Sequence, residues 1–304
     1  MKRTLWGKLP DLAKLALELP QTREFCLPER YAEQVIRNLA HPELVDEGAD
    51  ALPYGSLIRF RPGESTLWAG PNHAGKTTAV SECQVAWALA GKHTVFCSLE
   101  DASDRVVQRW VRQVVGSKTW AIPEHLSRDA LELLNEHMTL LDVHGRCEPT
   151  EALAIMHYAA REMQAQHFVL DNLTMVVPLG MDTDVVLQQF VGGAHSIARA
   201  TGMHVHLVAH IRKPMDGKMP NRYDIRGTGS ASDQVDNVVM VWRDEKGEIE
   251  GRRPDRTENM LLVDKQRTTG QRGMISLWHH GCALQFMTGP ANDPICRLGG
   301  GHRR

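Results

Sequence analysis

Gly70 to Thr77 reads GPNHAGKT, which has the spacing G-x-x-x-x-G-K-[ST]. That pattern cradles phosphates. Gly70, Pro71, Asn72, His73, Ala74 and Gly75 form a loop whose backbone N–H groups turn toward an anion, helped by the positive end of the helix that begins there. Lys76 adds a cation for the outer phosphates, Thr77 a hydroxyl suited to Mg2+, and Thr78 the next position of the same helix. Ala74 stands where many loops of this kind carry Gly, at some cost in backbone freedom.

Two acids stand where such a loop needs them. Asp171 ends the apolar run HFVLD, and its carboxylate is expected to share the Mg2+ shell with Thr77. Glu100 follows the apolar run TVFCSL, and the carboxyl ends of parallel strands share one crevice. Two readings of Glu100 stand side by side: a base that orients a water, or, with Asp101, a cap on the helix that follows. His210 ends HVHLVAH and is either a sensor of the terminal phosphate or a half-exposed polar strand end. Beyond it, Arg212, Lys213, Lys218 and Arg222 lie in a Gly/Pro-containing stretch, a composition suited to tracking a nucleic-acid backbone or simply to a solvated loop. Trp278 or His280 offers a ring for a base to stack on, though core packing is the commoner use of a residue such as Trp278.

These residues require a scaffold of strands that all end on one side. From about Glu64 onward, short apolar runs (STLWAG, TVFCSL, TLLDV, HFVLD, HVHLVAH, NVVMVW) alternate with helical patterns, which predicts an α/β fold: a parallel sheet with flanking helices. NMLLVDKQ and MISLWHH predict an antiparallel hairpin at one edge. The chain is expected to divide into a helical linker at 1–50, an ATPase domain at 51–288 and a mobile Gly/Pro-rich tail at 289–304. In the linker, Leu12, Leu15, Ala16 and Leu19 share one helical face and Ala32, Val35, Ile36 and Leu39 another. Two such helices cannot build a core alone, so they must pack on the main domain or on a neighbouring copy.

Composition excludes little. A formal charge of −2 gives no global sign of a nucleic-acid binder, so any such contact must be local. The six cysteines show neither Cys-x-x-Cys pairs nor zinc spacing and read as reduced thiols, most of them core filler. No apolar run is long enough for a membrane span, which points to the cytoplasm.

From about Leu52 to Met287 the motifs occur in an order that resembles the ATPase domain of DnaB-type replicative helicases, above all the helicase half of phage primase-helicases and Twinkle. RFRPGESTLWAGPNHAGKTT resembles the family's approach to the phosphate loop, VFCSLED its catalytic-base segment with the base at Glu100, and FVLDNLTMV its second nucleotide motif. LVAHIRKP matches the polar sensor at His210, and DIRGTGSASDQVDNVVMVWRDE the DNA-loop motif with Arg226 and Arg243. VDKQRTTGQRG matches a Lys-x-Arg element that enters the neighbour's ATP site, at Lys265 and Arg267. The resemblance implies a RecA-like core, ATP and Mg2+ as cofactors, a homohexameric ring, single-stranded DNA in its channel and 5′-to-3′ translocation in phage or plasmid replication. It also implies that the linker grips an adjacent subunit. Residues 1–50 leave no room for a primase domain, so primer synthesis and polymerisation are expected of separate partners. Two rivals share the fold: a RecA-, RadA- or KaiC-type ATPase of recombination or signalling, and an ATP-switched DNA-binding or loading module.

Overall fold

A computed structural model describes residues 27–143, 145–177, 183–211, 224–225, 231–243 and 256–299. The described chain runs α1 (Ala32–Ala40), β1 (Asp50–Leu52), β2 (Gly55–Phe60), β3 (Ser65–Gly70), α2 (Lys76–Leu89), β4 (Thr94–Ser98), α3 (Ser103–Val115), α4 (Glu124–Leu134), β5 (Met138–Leu141) and α5 (Pro149–Arg161). It continues through β6 (His167–Asp171), α6 (Thr183–Thr201), β7 (His204–His210), α7 (Ala231–Gln234), β8 (Asn237–Arg243), β9 (Arg256–Gln266), β10 (Gly273–His280) and β11 (Gln285–Met287).

The main sheet has the order β11-β10-β9-β8-β3-β7-β6-β4-β5. From β8 to β5 every pairing is parallel, and β9, β10 and β11 extend the sheet antiparallel. The predicted sheet and edge hairpin are both present, with β11 added beyond the hairpin. Alternation sends successive side chains to opposite faces. On β3, Leu67 and Ala69 join a core with Ile155 and Met156 of α5 and Phe190 and Ile197 of α6. Trp68 joins a second core with Val80 and Cys83 of α2, Trp110 and Val114 of α3 and Leu134 of α4. Because both faces are covered, the parallel strands read as continuous apolar runs.

The expected helix across Leu12 to Leu19 lies outside the described residues. In α1, Val35, Ile36 and Leu39 are 48%, 66% and 76% exposed, so among the described residues nothing covers this apolar face. As far as Gly299 the tail is described and hydrogen-bonded to the rest of the domain. Ile295 exchanges hydrogen bonds with the Gln285 side chain (2.8 and 2.7 Å), and Arg297 pairs with Glu82 of α2 at 2.8 Å. Glu82 is 1% exposed and also accepts from Tyr54 and the Phe286 N–H, so a buried carboxylate fixes the tail in place. Of the described cysteines, Cys83, Cys97 and Cys147 are buried as core filler should be, whereas Cys282 is half-buried and Cys296 exposed.

At the amino ends of the strands, three histidines lie within the second core. His167, His204 and His206 are 2%, 1% and 0% exposed, and Trp87 stacks on His167 at 4.1 Å and 18°. Trp68 Nε1 donates to His206 Nδ1 (3.2 Å), so neutral His206 must carry its proton on Nε2 and donate to His167 Nδ1 (3.1 Å). His167 then donates from Nε2 to Asp50 Oδ2 at 3.1 Å, which ties β1 to the sheet. Both linked rings therefore have one permitted tautomer. Burial pushes all three histidines below the usual imidazole range, His204 to about 3, with the other rings adding to the effect on His204 and His206 and Asp50 opposing it on His167.

Below pH ~6.5 the unfolded chain binds protons on these imidazoles that the folded core refuses. Their contribution is therefore fully present above that pH and is lost as pH falls toward the folded values. The slope is up to about 1.4 kcal/mol per pH unit for each histidine, so three together are significant against a stability of roughly 5–15 kcal/mol. Asp171, whose folded pKa is raised to about 6, and Glu82, also raised by burial, act in the opposite sense as pH rises through the carboxylate range, while His279, lowered to about 4, adds to the three core histidines. Urea unfolding should give a clearly lower midpoint at pH 5.5 than at pH 7.5, and His206→Gln should flatten that difference. Equal midpoints would mean that the rings take up protons without leaving the core.

Candidate functional site

Register brings the predicted residues together. Gly70 aligns with His210 across β3 and β7, Asp171 with Val208 across β6 and β7, and Ser98 with Asp171 across β4 and β6. The loop from Pro71, the segment after Ser98 and the segment after Asp171 all leave the sheet at this carboxyl edge.

The loop's shape depends on two glycines. A Cβ on Gly70 would lie 2.1 Å from the Val241 carbonyl oxygen, so only glycine lets β8 pass so close. Gly75 has φ +91° and caps α2, and a Cβ there would lie 2.8 Å from the Phe286 ring. The loop's other left-handed residue is His73 (φ 63°), not Ala74, so alanine at 74 meets no conformational demand for glycine. Ala74 is buried, and its carbonyl accepts from Asn259 Nδ2 at 2.8 Å; the Thr78 carbonyl accepts from Gln113 at 3.1 Å. Asn72 and His73 face solvent.

Lys76 folds back along the loop, donating to the carbonyls of Gly70 (3.0 Å) and Pro71 (2.7 Å). It is 5% exposed, and burial lowers its pKa to about 8 against the opposing charges of Asp171 and Glu100. Thr77 donates to Asp171 Oδ2 at 2.6 Å. Burial lifts Asp171 to about 6, with Glu100 and Asp101 pushing the same way while the Thr77 hydrogen bond and Arg109 hold it down. A hydroxyl and a buried carboxylate so close are hard oxygen donors, and they fit a divalent cation shared with a triphosphate.

Glu100 is not a helix cap: α3 is capped by Ala102 with no side-chain bond, and Asp101 instead pairs with Arg109. The Glu100 carboxylate accepts from Asn172 Nδ2 and lies 3.7 Å from His210 Nε2. Asn172 Nδ2 also lies 3.0 Å from His210 Nε2, and Asn172 Oδ1 accepts the Thr174 N–H (2.9 Å). Asn172 thus joins the acid to the histidine from a position only 1% exposed. Sequence reasoning missed it, and Arg109 and Asn259 with it; the one available signal was an amide directly after a strand-ending acid, a placement that favours a local turn.

Arg243 ends β8 at the same edge, where its charge adds to burial in lowering His279 to about 4. Trp278 and His280 are half-buried on β10. Lys265 and Arg267 lie at the opposite edge. Lys265 Nζ donates to the carbonyls of Ser232, Asp233 and Val235 (2.9, 3.0 and 2.8 Å), and Arg267 pairs with Asp236 at 3.2 Å. Asp236 N–H in turn bonds the Ser65 carbonyl at the start of β3. The five steps from Ser65 to Gly70 span about 16 Å, so this pair is remote from the phosphate loop of its own chain. Arg212, Lys213, Lys218, Arg222 and Arg226 lie outside the described residues; an Ile211–Ile225 bridge ties together the ends of the segment that holds the first four. No described helix is long and apolar enough to cross a membrane.

The chain is similar to several known proteins. A family described as AAA domain matches residues 56–216, a little over half of the chain. The DNA helicase/primase of Enterobacteria phage T3 is 22% identical over 235 residues, covering 70% of this chain and 40% of that protein. The replicative DNA helicase DnaB of Treponema pallidum (strain Nichols) is 28% identical over 92 residues, covering 30% and 19%. The chain thus spans less than half the length of these curated relatives. Among solved structures, an isolated ATPase domain superposes with a TM-score of 0.70 at 16% identity, over 84% of this chain and 97% of that one. A DnaB-like replicative helicase, described together with its interactions with primase, gives 0.68 at 14% identity over 88% and 68%. With a phosphate loop, an acid pair and a strand-end histidine gathered at one sheet edge, and with this match over 56–216, the chain belongs to the AAA domain family and has the RecA-like fold of DnaB-like helicase ATPase domains.

Proposed function

We propose that this chain is the ATP-driven motor of a ring-forming DNA helicase that moves on single-stranded DNA, 5′ to 3′, in phage or plasmid replication in a bacterial cytoplasm. The observation that carries the reading is the separation of charge across the sheet: Lys76, Glu100, Asp171 and His210 stand at one edge and Arg267 at the other. An arginine so far from its own phosphate loop is suited to a neighbour's. The exposed apolar face of α1 supports the same assembly, because a neighbouring copy would cover it.

In this reading Lys76 leaves its two loop carbonyls for the terminal phosphates. Thr77 and Asp171 would hold Mg2+, which when bound neutralises phosphate charge. Glu100, held by Asn172, orients a water and takes its proton, while a neighbour's Arg267 meets the charge that develops. Lys265 would support Arg267, and Arg243 would face the nucleotide from β8. His210, bonded to Asn172, is placed to pass the phosphate state into the segment that begins at Ile211. Arg212, Lys213, Lys218, Arg222 and Arg226 are the proposed DNA contacts, and a primase and a polymerase are the proposed protein partners.

Unwinding of forked DNA tests the whole reading; ATP turnover without unwinding or translocation would favour the switch or recombination alternatives. Glu100→Gln should keep ATP affinity and lower hydrolysis by about 100-fold or more. Full activity in that variant would remove Glu100 from the chemistry. Lys213→Ala with Lys218→Ala should weaken DNA binding at all sequences and reduce its logarithmic salt slope by roughly one unit per lost contact, with an unchanged slope placing the DNA path elsewhere.

The ring itself is tested by mixing. Arg267→Ala should cost about 10^3 in turnover with nucleotide still bound. Mixed with Lys76→Ala, it should regain ATPase, because some interfaces then combine an intact phosphate loop with an intact arginine. If co-assembled variants regain nothing, Arg267 does not act between subunits.

A further inference from the structure

Asp236, in the turn between α7 and β8, sits where the proposed trans-acting arginine meets its own subunit. It is 7% exposed, and its two oxygens have different partners. Oδ2 accepts from the Ser65 N–H (2.9 Å) and lies 3.4 Å from the Ser65 hydroxyl and 3.3 Å from His195 Nδ1. Ser65 Oγ and His195 Nδ1 are themselves 2.9 Å apart, so the carboxylate is clamped from β3 and from α6. Oδ1 takes Arg267 Nη1 at 3.2 Å. The backbone repeats the connection, since Arg267 N–H donates to the Asp236 carbonyl at 2.9 Å. Burial works to raise the pKa of Asp236, but the bonds from His195 and Ser65 and the charges of His195 and Arg267 hold it below the usual carboxylate range, so the anchor stays charged.

Arg267 is fixed but not consumed. Nη1 is held by Asp236 and Nη2 by the Asp233 carbonyl at 2.8 Å, while the side chain remains 44% exposed. A guanidinium has five N–H donors, so three remain for an anion approaching from outside. A free arginine would have to be ordered at the moment of catalysis; one clamped at its inner side is already ordered.

We propose that Asp236 is a positioning residue for ATP hydrolysis in the neighbouring subunit: it holds Arg267 outward toward that neighbour's triphosphate, with Ser65 and His195 holding Asp236. This rests on the trans role of Arg267 given above. The competing role is local, because Asp236 also touches the first residue of β3, the strand that runs into its own phosphate loop.

Asp236→Ala should lower ATP turnover by about 100-fold, the scale of a misplaced catalytic group, with KM for ATP changed by no more than about twofold. Asp236→Asn, which keeps an acceptor for Nη1 and loses the charge, should fall between wild type and Ala, and it replaces Ala if that variant does not assemble. Mixing then identifies the subunit served. Combined with Lys76→Ala, the Asp236 variant should regain ATPase, since its intact phosphate loop meets a neighbour with both Asp236 and Arg267. Combined with Arg267→Ala it should regain none, because both defects fall on the same side of every interface. The reverse pattern, rescue by Arg267→Ala and not by Lys76→Ala, would show that Asp236 serves its own loop through Ser65 and would overturn the proposal. The mixture of Arg267→Ala with Lys76→Ala is the control: if that fails, the trans arginine itself is wrong, whereas its success beside a failed Asp236 mixture rejects the role of Asp236 alone.

Discussion

Two opposite charges are buried at the carboxyl edge of the sheet, and neither is hydrogen-bonded to the other. Lys76 rests on two backbone carbonyls and Asp171 on the Thr77 hydroxyl, and burial moves both toward neutrality, to about 8 and about 6. Desolvating a charge without a matched partner is unfavourable, so the fold must enforce this arrangement. It does so through close approaches. β8 passes against Gly70, Phe286 against Gly75, and Asn259 holds the Ala74 carbonyl, so the antiparallel extension acts as a brace for the loop. A bound triphosphate with its cation would give both groups the partners they lack, which gives the site a direct energetic bias toward nucleotide.

The opposite edge follows different rules. There the core holds three uncharged imidazoles in single tautomers: His206 and His167 in a chain from Trp68 to Asp50, and His204 donating from Nδ1 to the Arg61 carbonyl. At the same edge the Lys265 and Arg267 cations close the α7–β8 turn. One edge therefore keeps its charges ready for a ligand, and the other uses its polar groups for structure except where Arg267 reaches solvent.

Much of this was legible in the sequence because it is local. The phosphate loop is eight consecutive residues, and the acids at 100 and 171 and the histidine at 210 each end a run of apolar strand residues. Alternation and parallel pairing then suffice to bring those ends into one row. What could not be read depends on contacts between distant segments. Asn172 became a hub only because β4 and β7 flank β6. The three-residue strands β1 and β11 are too short to show periodicity. The tail looked mobile from its Gly and Pro content, yet Arg297 has a buried carboxylate to answer, and no composition argument could supply Glu82 as its partner. The apolar face of α1 was visible as a pattern, whereas its exposure among the described residues was not.

The ion pair between Glu82 and Arg297 spans 215 positions along the chain. Glu82 lies on the helix that begins at the phosphate loop, so until residues 286 and 297 have been made its carboxylate has the Tyr54 hydroxyl but neither the Phe286 N–H nor the Arg297 guanidinium. At about 5–20 residues per second, a ribosome takes roughly 10–40 s to cover that distance. During that interval the parallel strands can already pair while this helix lacks its counter-ion. The order of synthesis thus leaves the helix that starts at the phosphate loop without its cationic partner until a residue 215 positions later has been made.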